Sequence, residues 1–130
     1  MPIKYFAVLT AGLAIACASA PTAGTPGTRH NANVITRDEI DAAHVYNAYD
    51  AVQMLRPQFL HSHGATTLSP NDTGLPNVYL NHQLYGDVQS LRNIEISAIR
   101  DIHYYNGPEA SSRFGLGNSS GAIEVITDAQ

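Results

Sequence analysis

The clearest local signal in this sequence is the apolar run Gly121–Thr127, GAIEVIT, near the carboxyl end. Its β-branched residues follow directly after a glycine, which predicts a β-strand. The run Ile99–Tyr105, IRDIHYY, alternates and predicts a second strand. Strict alternation would place Ile99, Asp101, His103 and Tyr105 on one side and Arg100, Ile102 and Tyr104 on the other.

The segment between these two strands carries turn and helix signals. Asn106-Gly107-Pro108 turns the chain, and Pro108 suits the first position of a helix that runs to about Phe114. Gly115-Leu116-Gly117 then ends that helix. We expect Gly107 to adopt a positive φ, and Gly115 and Gly121 to allow sharp reversals that flank the final strand.

Several short elements are predicted upstream. Thr36 and Glu39 fit a capping box for a helix from Arg37 to about His44, and Asn47 suits the cap of a second helix. Pro57 stops this second helix at Arg56. The order is β-α-α-β-β-α-β-α-β, an α+β domain with a small mixed sheet and short helices. The remaining predictions are strands at 34–35, 77–80 and 83–85, a tight Asn81-His82 turn, and one helical turn within 90–98.

Length and composition exclude several classes of protein. A chain of 130 residues suits one domain, and a two-lobed cofactor enzyme is not expected at this size. Seven Lys and Arg against eleven Asp and Glu give a net charge of −4, so no basic surface indicates nucleic-acid binding. The single cysteine excludes an internal disulfide framework, and no CxxC pair indicates zinc.

The first twenty residues predict export. Lys4 lies in a short, positively charged N-terminal region. The stretch that follows, Tyr5–Ala16, is uncharged and too short to span a bilayer, which takes about 20 apolar residues. This pattern is typical of a signal peptide. Cys17 follows Leu13-Ala14-Ile15-Ala16, which resembles the lipobox of bacterial lipoproteins. We therefore expect a signal peptide of residues 1–16, cleavage before Cys17, and a lipid on Cys17 as the membrane anchor.

Two alternatives for this segment stay open. Ala18-Ser19-Ala20 also suits an ordinary cleavage site and plain secretion, and Cys17 could instead be buried on a first helix. Pro21–Asn33 is rich in Pro, Gly, Thr and Asn and has no hydrophobic period. Residues 17–33 are therefore predicted to be a flexible tether in front of a domain at 34–127.

The pattern of the last third resembles a known domain. It consists of the strand Ile99–Tyr105, the pair Gly107-Pro108, a short helix ending in Phe114-Gly115, and Gly121 leading into a strand that ends in threonine. This pattern resembles the closing half of the plug domain of TonB-dependent outer-membrane receptors. Val78–Gly86, VYLNHQLYG, is similar to the strand-turn-strand of the plug, with Asn81-His82 where that family often has Asp-Gly. The resemblance covers roughly residues 34–127.

The resemblance implies a non-enzymatic binding domain at the bacterial cell envelope. In the receptors a long barrel follows the plug, whereas three residues follow Thr127 here, and Pro21–Asn33 contains no hydrophobic TonB box. We therefore expect a plug-like domain anchored to the outer membrane and exposed to the periplasm. The expected partners are the membrane, through the lipid on Cys17, and an outer-membrane barrel or another envelope protein. The aromatic Phe114 is expected to pack where the family has an aromatic residue.

Candidate contact and chemical sites follow from the same elements. Edge strands accept partner strands, so the predicted contact surface consists of Tyr79, Tyr85, Tyr104 and Tyr105. The alternative is that these tyrosines cover the core of the domain itself. No catalytic residue, resident metal or cofactor is expected.

Two further motifs suggest other functions. Gly117–Gly121 matches G-x-S-x-G, but a nucleophile elbow needs a strand before its serine and a helix after it, the reverse of the order predicted here. His61 and His63, in the polar loop 61–76, support the alternative function of a small metal-binding protein or enzyme. His103 is expected to pack across strands.

Overall fold

The computed structural model describes residues 31–62 and 73–128. They form a small α+β fold with a five-stranded mixed sheet, as predicted. The strands are β1 (Val34–Ile35), β2 (Asn77–Leu80), β3 (Gln83–Gly86), β4 (Ile99–Tyr105) and β5 (Ala122–Thr127). The α-helices are α1 (Arg37–Ala43), α2 (Ala48–Leu55) and α3 (Gly107–Phe114), and the 3₁₀ helices are Pro57–Leu60, Val88–Asn93 and Ile96–Ala98. The predicted signal peptide, Cys17, most of the predicted tether and His63 lie outside the described residues.

The sheet has β5 at its centre. The strand order is β1-β4-β5-β2-β3, with β5 antiparallel to β4 and parallel to β2. In the register, Val125 lies opposite Ile102 of β4, and Ile123 lies opposite Val78 of β2. The last strand of the sequence therefore joins the two halves of the sheet, and β1 and β3 form its outer edges.

One face of the sheet carries the main core. α1, α2 and the 3₁₀ helices Pro57–Leu60 and Val88–Asn93 contribute buried residues to it. Phe59 stacks on Tyr104 with 4.9 Å between ring centroids. The fully or nearly fully buried members include Ile35, Ile40, Val52, Phe59, Val78, Leu91, Ile99, Ile102, Ile123 and Val125.

α3 covers part of the opposite face. Ala110 of this helix packs with Tyr79 and Ala122 of the sheet, and Tyr105 and Phe114 border the same cluster. Asn106 caps α3 by accepting a hydrogen bond from the Glu109 amide at 3.0 Å, and the Glu109 carboxylate accepts one from the Asn106 amide at 3.3 Å. This second capping box was not predicted.

The structure corrects the expectation for Gly107. Its φ is not positive; Gly107 is the first residue of α3, and Pro108 follows one position later than predicted. A Cβ on Gly107 would lie 2.1 Å from the backbone oxygen of Ser119. This glycine is therefore required by a close approach of two backbones rather than by its dihedral angle. Gly115 and Gly121 do adopt positive φ, at 90° and 97°.

Strand β4 departs from strict alternation. The register with β5 shifts between Ile99 and Asp101. Ile99 pairs with Thr127 and Asp101 pairs with Ile126, so β4 has one extra residue in this stretch. This bulge returns Ile99 to the side of Ile102 and Tyr104, where it is buried in the main core. The prediction that Ile99 shares a face with His103 and Tyr105 is therefore wrong.

The prediction that Pro57 stops the second helix at Arg56 is confirmed, because α2 ends at Leu55 and Arg56 has the non-helical angles φ −143° and ψ 63°. A separate 3₁₀ helix, Pro57–Leu60, follows; it was not predicted, and it buries Phe59. In place of the single turn predicted within 90–98 there are two 3₁₀ helices, Val88–Asn93 and Ile96–Ala98, separated by the buried Ile94 and by Glu95. Proline is tolerated at the start of such a turn because its missing N–H has no helical acceptor there.

The Asn81-His82 turn forms as predicted. Both residues have positive φ, 47° and 70°, which is the backbone of a two-residue hairpin of type I′. The side chain of Asn81 accepts from the Thr127 amide at 3.0 Å and donates to the Thr127 hydroxyl at 2.8 Å. These bonds fix the hairpin tip to the end of β5.

Candidate functional site

A buried carboxylate lies at the centre of the sheet face that α3 partly covers. Glu124, in the middle of β5, is 0% exposed. Its Oε2 accepts a hydrogen bond from the Tyr105 hydroxyl at 3.1 Å and lies 3.3 Å from Nε of Arg113. Burying a charge is unfavourable unless it is paired, so Tyr105 and Arg113 stabilise the Glu124 carboxylate in its buried position.

The other carboxylate oxygen is less well satisfied. Nδ1 of His82 lies 2.8 Å from Glu124 Oε1, yet Oε1 accepts no aligned hydrogen bond among the described residues. Nη2 of Arg113 lies 2.8 Å from Nε2 of His82. Because arginine can only donate, a hydrogen bond in this pair requires Nε2 of His82 to be the acceptor.

The hairpin turn brings His82 to this position. Positive φ is uncommon outside glycine, although His and Asn tolerate it better than most residues. The turn places the imidazole over Glu124, and 61% of the His82 side chain remains exposed. Glu124, Arg113 and His82 therefore form a charged cluster, the Glu124 cluster, in which Glu124 is buried and the other two side chains are exposed to solvent.

A groove adjoins this cluster. It has a volume of about 740 Å³ and lies between the residues around β1, the end of β4, and α3. Arg113 and Tyr105 belong both to the groove and to the Glu124 cluster, so the buried carboxylate positions two groove residues. The lining residues are Asn31, Asn33, Val34, His103, Tyr104, Tyr105, Pro108, Glu109, Ser112 and Arg113.

The tyrosines of β4 remain neutral phenols over a wider pH range than free tyrosine. Burial raises the pKa of Tyr104, and the nearby Glu109 carboxylate raises it further. Burial likewise raises the pKa of Tyr105, with Glu124 as the next cause. The Tyr105 hydroxyl therefore stays a donor to Glu124 throughout the neutral range.

The predicted contact tyrosines do not form one surface. Tyr79 is only 7% exposed and stacks on Phe114, with 3.9 Å between ring centroids, so Phe114 has an aromatic partner. Tyr104 and Tyr105 are half-buried on opposite faces of the sheet, and Tyr85 is 43% exposed on the outer strand β3. Because Tyr79 is buried in the domain's own core, it cannot serve as a contact residue, and Tyr85 is the most accessible of the four.

The G-x-S-x-G segment, Gly117–Gly121, packs against the sheet face that α3 covers and supports it. Asn118 is 2% exposed, accepts a hydrogen bond from the Tyr79 hydroxyl at 3.0 Å and donates to the Gly115 carbonyl at 3.0 Å. A helix precedes Ser119 and a strand follows it, the opposite of a nucleophile elbow. The asparagine, not the serine, makes the buried polar contacts.

Three further histidines, His61, His63 and His103, were predicted either to bind a metal or to pack on the sheet. His61 lies at the exposed end of the 3₁₀ helix Pro57–Leu60, and His63 lies outside the described residues. Within 31–62 and 73–128, no three His, Cys, Asp or Glu side chains are grouped to hold a metal ion. His103 packs beside Tyr105 with 6.2 Å between ring centroids.

Glu124, Arg113 and His82 were not predicted to form a group. Glu124 is the only charged residue in the run Gly121–Thr127, and a lone acid inside a predicted apolar strand is an available signal. Its partners lie 11 and 42 positions away, so only the packing of α3 and the β2–β3 turn brings them together.

The comparisons with known proteins found no protein-family model, no curated protein and no solved structure that matches this chain. Among the described residues, no helix combines the length and apolar character needed to cross a membrane.

Proposed function

We propose that this protein is a non-enzymatic, lipid-anchored protein of the bacterial cell envelope whose plug-like domain binds another protein or a ligand. The lipobox-like residues before Cys17 and the Pro- and Gly-rich segment 21–33 support anchoring through a tether. The Gly107-Pro108 pair, α3 and the glycine-bounded β5 support the resemblance to the plug of TonB-dependent receptors.

The observation that carries the binding role is the outer edge of the sheet at β3, with which no further strand of residues 31–62 and 73–128 pairs. This strand contains no charge and no proline, and Leu84 and Tyr85 are 65% and 43% exposed. Edge strands of this kind present unpaired backbone groups that a partner strand can pair with. The opposite edge is better protected, because β1 has two residues and Arg37 donates to the carbonyls of Ile96 and Ile99 at 2.8 Å.

Mass spectrometry of the protein purified from bacterial envelopes tests the anchor. We expect the mature chain to begin at Cys17 with a diacyl or triacyl adduct, and Cys17→Ala to abolish membrane retention. A chain that retains Met1 and a free thiol would contradict the anchoring.

Site-specific photo-crosslinking tests the binding edge. A crosslinker at Tyr85 should yield a discrete adduct in envelopes, and Leu84→Lys should suppress it because a charge protects an edge. The matched control is a crosslinker at Met54, an exposed apolar residue of α2 at 63%. Equal adducts from both positions, or an adduct unaffected by Leu84→Lys, would argue against β3 as the contact edge.

A further inference from the structure

We infer that the groove between β4 and α3 is a binding site for a neutral, polyhydroxylated ligand, such as a sugar ring of a glycan. This groove is separate from the β3 edge and adds a small-molecule ligand to the binding role proposed above, on which the inference rests. The groove of about 740 Å³ falls within the range of roughly 300–1,000 Å³ typical of small-molecule sites.

The charges around the groove disfavour an ionic ligand. Arg113 is paired with the buried Glu124, so it attracts an anion less strongly than an unpaired arginine would. Glu109 lines the same groove and would repel an anion, while the nearby Arg113 guanidinium weakens the attraction of Glu109 for a cation. A neutral ligand meets neither penalty.

Hydrogen-bonding groups of both kinds face this space. Arg113 uses Nε towards Glu124 and Nη2 towards His82, which leaves the Nη1 donors without a partner among the described residues. The Ser112 hydroxyl and the Asn33 side-chain amide also line the groove and make no hydrogen bond to the described residues. Hydroxyl groups that both donate and accept match a mixed set of this kind.

The rest of the lining is mostly apolar. Val34, Pro108 and the rings of His103 and Tyr105 contribute to it, and the two rings are nearly parallel at 18°. A sugar ring has an apolar C–H face as well as polar edges, so it satisfies both parts of the lining. Glu124 fixes Arg113 and Tyr105 in advance, which reduces the entropy lost on binding.

Titration of the ¹⁵N-labelled Cys17→Ala chain with cellobiose, maltose and chitobiose, each followed by NMR, tests this site. We expect saturable shifts at Tyr105, Ser112 and Arg113 with at least one disaccharide below about 20 mM, since weak sites have Kd values on the order of 1 mM. Galacturonate and inorganic phosphate serve as charged probes and should bind more weakly.

Two variants localise the binding. Ser112→Tyr fills the groove from an exposed position of α3 and should weaken the affinity at least about tenfold, or about 1.4 kcal/mol. Gln58→Tyr introduces the same side chain at an exposed position whose helix packs on the other face of the sheet, and should leave the affinity unchanged within twofold. Thermal melts check that both variants fold.

The inference is overturned if none of the three disaccharides gives saturable shifts, if phosphate or galacturonate binds more tightly, or if Ser112→Tyr binds as the parent chain does. Each of these results leaves the lipid on Cys17 and the crosslink at Tyr85 untouched. Failure of the glycan site is thus distinguishable from failure of the proposed function.

Discussion

At the residue scale, Gly107 shows how a close backbone contact overrides local propensity. Alanine is favoured over glycine in helices by about 1 kcal/mol, so the sequence alone would suggest that Gly107→Ala stabilises α3. A Cβ here would approach the Ser119 carbonyl oxygen to 2.1 Å, which forces backbone movement.

We therefore expect Gly107→Ala to lower the free energy of unfolding by about 3 kcal/mol in urea titrations. Gly117→Ala is the matched control, because its φ is 99° but no atom lies within 4 Å of the added methyl group. That variant should lose about 1–2 kcal/mol from backbone strain alone. A smaller loss for Gly107→Ala than for Gly117→Ala would contradict the close contact.

The Glu124 cluster predicts an asymmetry between single and double variants. Arg113→Met leaves a buried carboxylate without its guanidinium and should cost about 3 kcal/mol of stability. The double variant Glu124→Leu/Arg113→Met should regain most of this loss, because it removes the buried charge as well. Urea unfolding of both variants and the parent measures the difference, and a double variant as unstable as Arg113→Met would refute the explanation.

Alkaline pH should weaken the fold through β4. The folded-state pKa values of Tyr104 and Tyr105 are raised above the ordinary value of 10.0, so the native state resists losing these protons. Their contribution to stability is therefore complete below about pH 10 and is lost as the pH rises through the folded-state pKa values. Urea unfolding between pH 8 and pH 11 should show this decline, and Tyr104→Phe/Tyr105→Phe should flatten it. If the free energy of unfolding of that variant falls with pH as steeply as that of the parent, the decline is caused by groups other than these two tyrosines.

At the element scale, Arg56 ties the first three elements together. Its Nη2 lies 2.9 Å from Glu39 of α1 and 3.4 Å from the Val34 carbonyl of β1, and Nη1 donates to Leu55 of α2 at 2.9 Å. Both partners of the ion pair are largely buried, with 14% and 11% of the side chains exposed. This pair therefore holds the outer strand and two helices in one arrangement.

Arg56→Met should reduce the free energy of unfolding by about 3 kcal/mol, because Glu39 then loses its cation in a mostly buried position. Arg100→Met removes an arginine of β4 that pairs with its neighbour Asp101 and is 54% exposed. This control should change stability by no more than about 0.5 kcal/mol. Chemical denaturation gives both values, and equal losses would mean that burial does not govern the Arg56 pair.

At the scale of the whole molecule, the described core residues lie between Ile35 and Val125. We expect a chain that begins at Asn31 to unfold cooperatively with the parent's free energy within about 0.5 kcal/mol. A chain that begins at Thr36 lacks β1 and the fully buried Ile35, and should lose at least about 3 kcal/mol. Equal stability of the two truncated chains would show that β1 does not belong to the cooperative unit.

The sequence by itself determined the elements and most of their ends. β-branched runs, the Asn47 cap, the Asn-His turn and Pro108 act over a few residues, and the α+β class with its mixed sheet follows from their order. What depends on contacts between distant residues could not be predicted in this way. The central place of β5, the bulge that returns Ile99 to the core, and the approach of Gly107 to Ser119 all arise from packing.

The candidate site belongs entirely to this second group. Glu124 looks like an ordinary acid in the sequence, and it acquires its burial and its partners only when α3 and the β2–β3 turn fold over the same sheet face. Local propensities depend on neighbours along the chain, whereas burial and charge pairing depend on neighbours in space. For this reason the sequence indicated the framework, and the tertiary structure alone assembled the groove and its buried carboxylate.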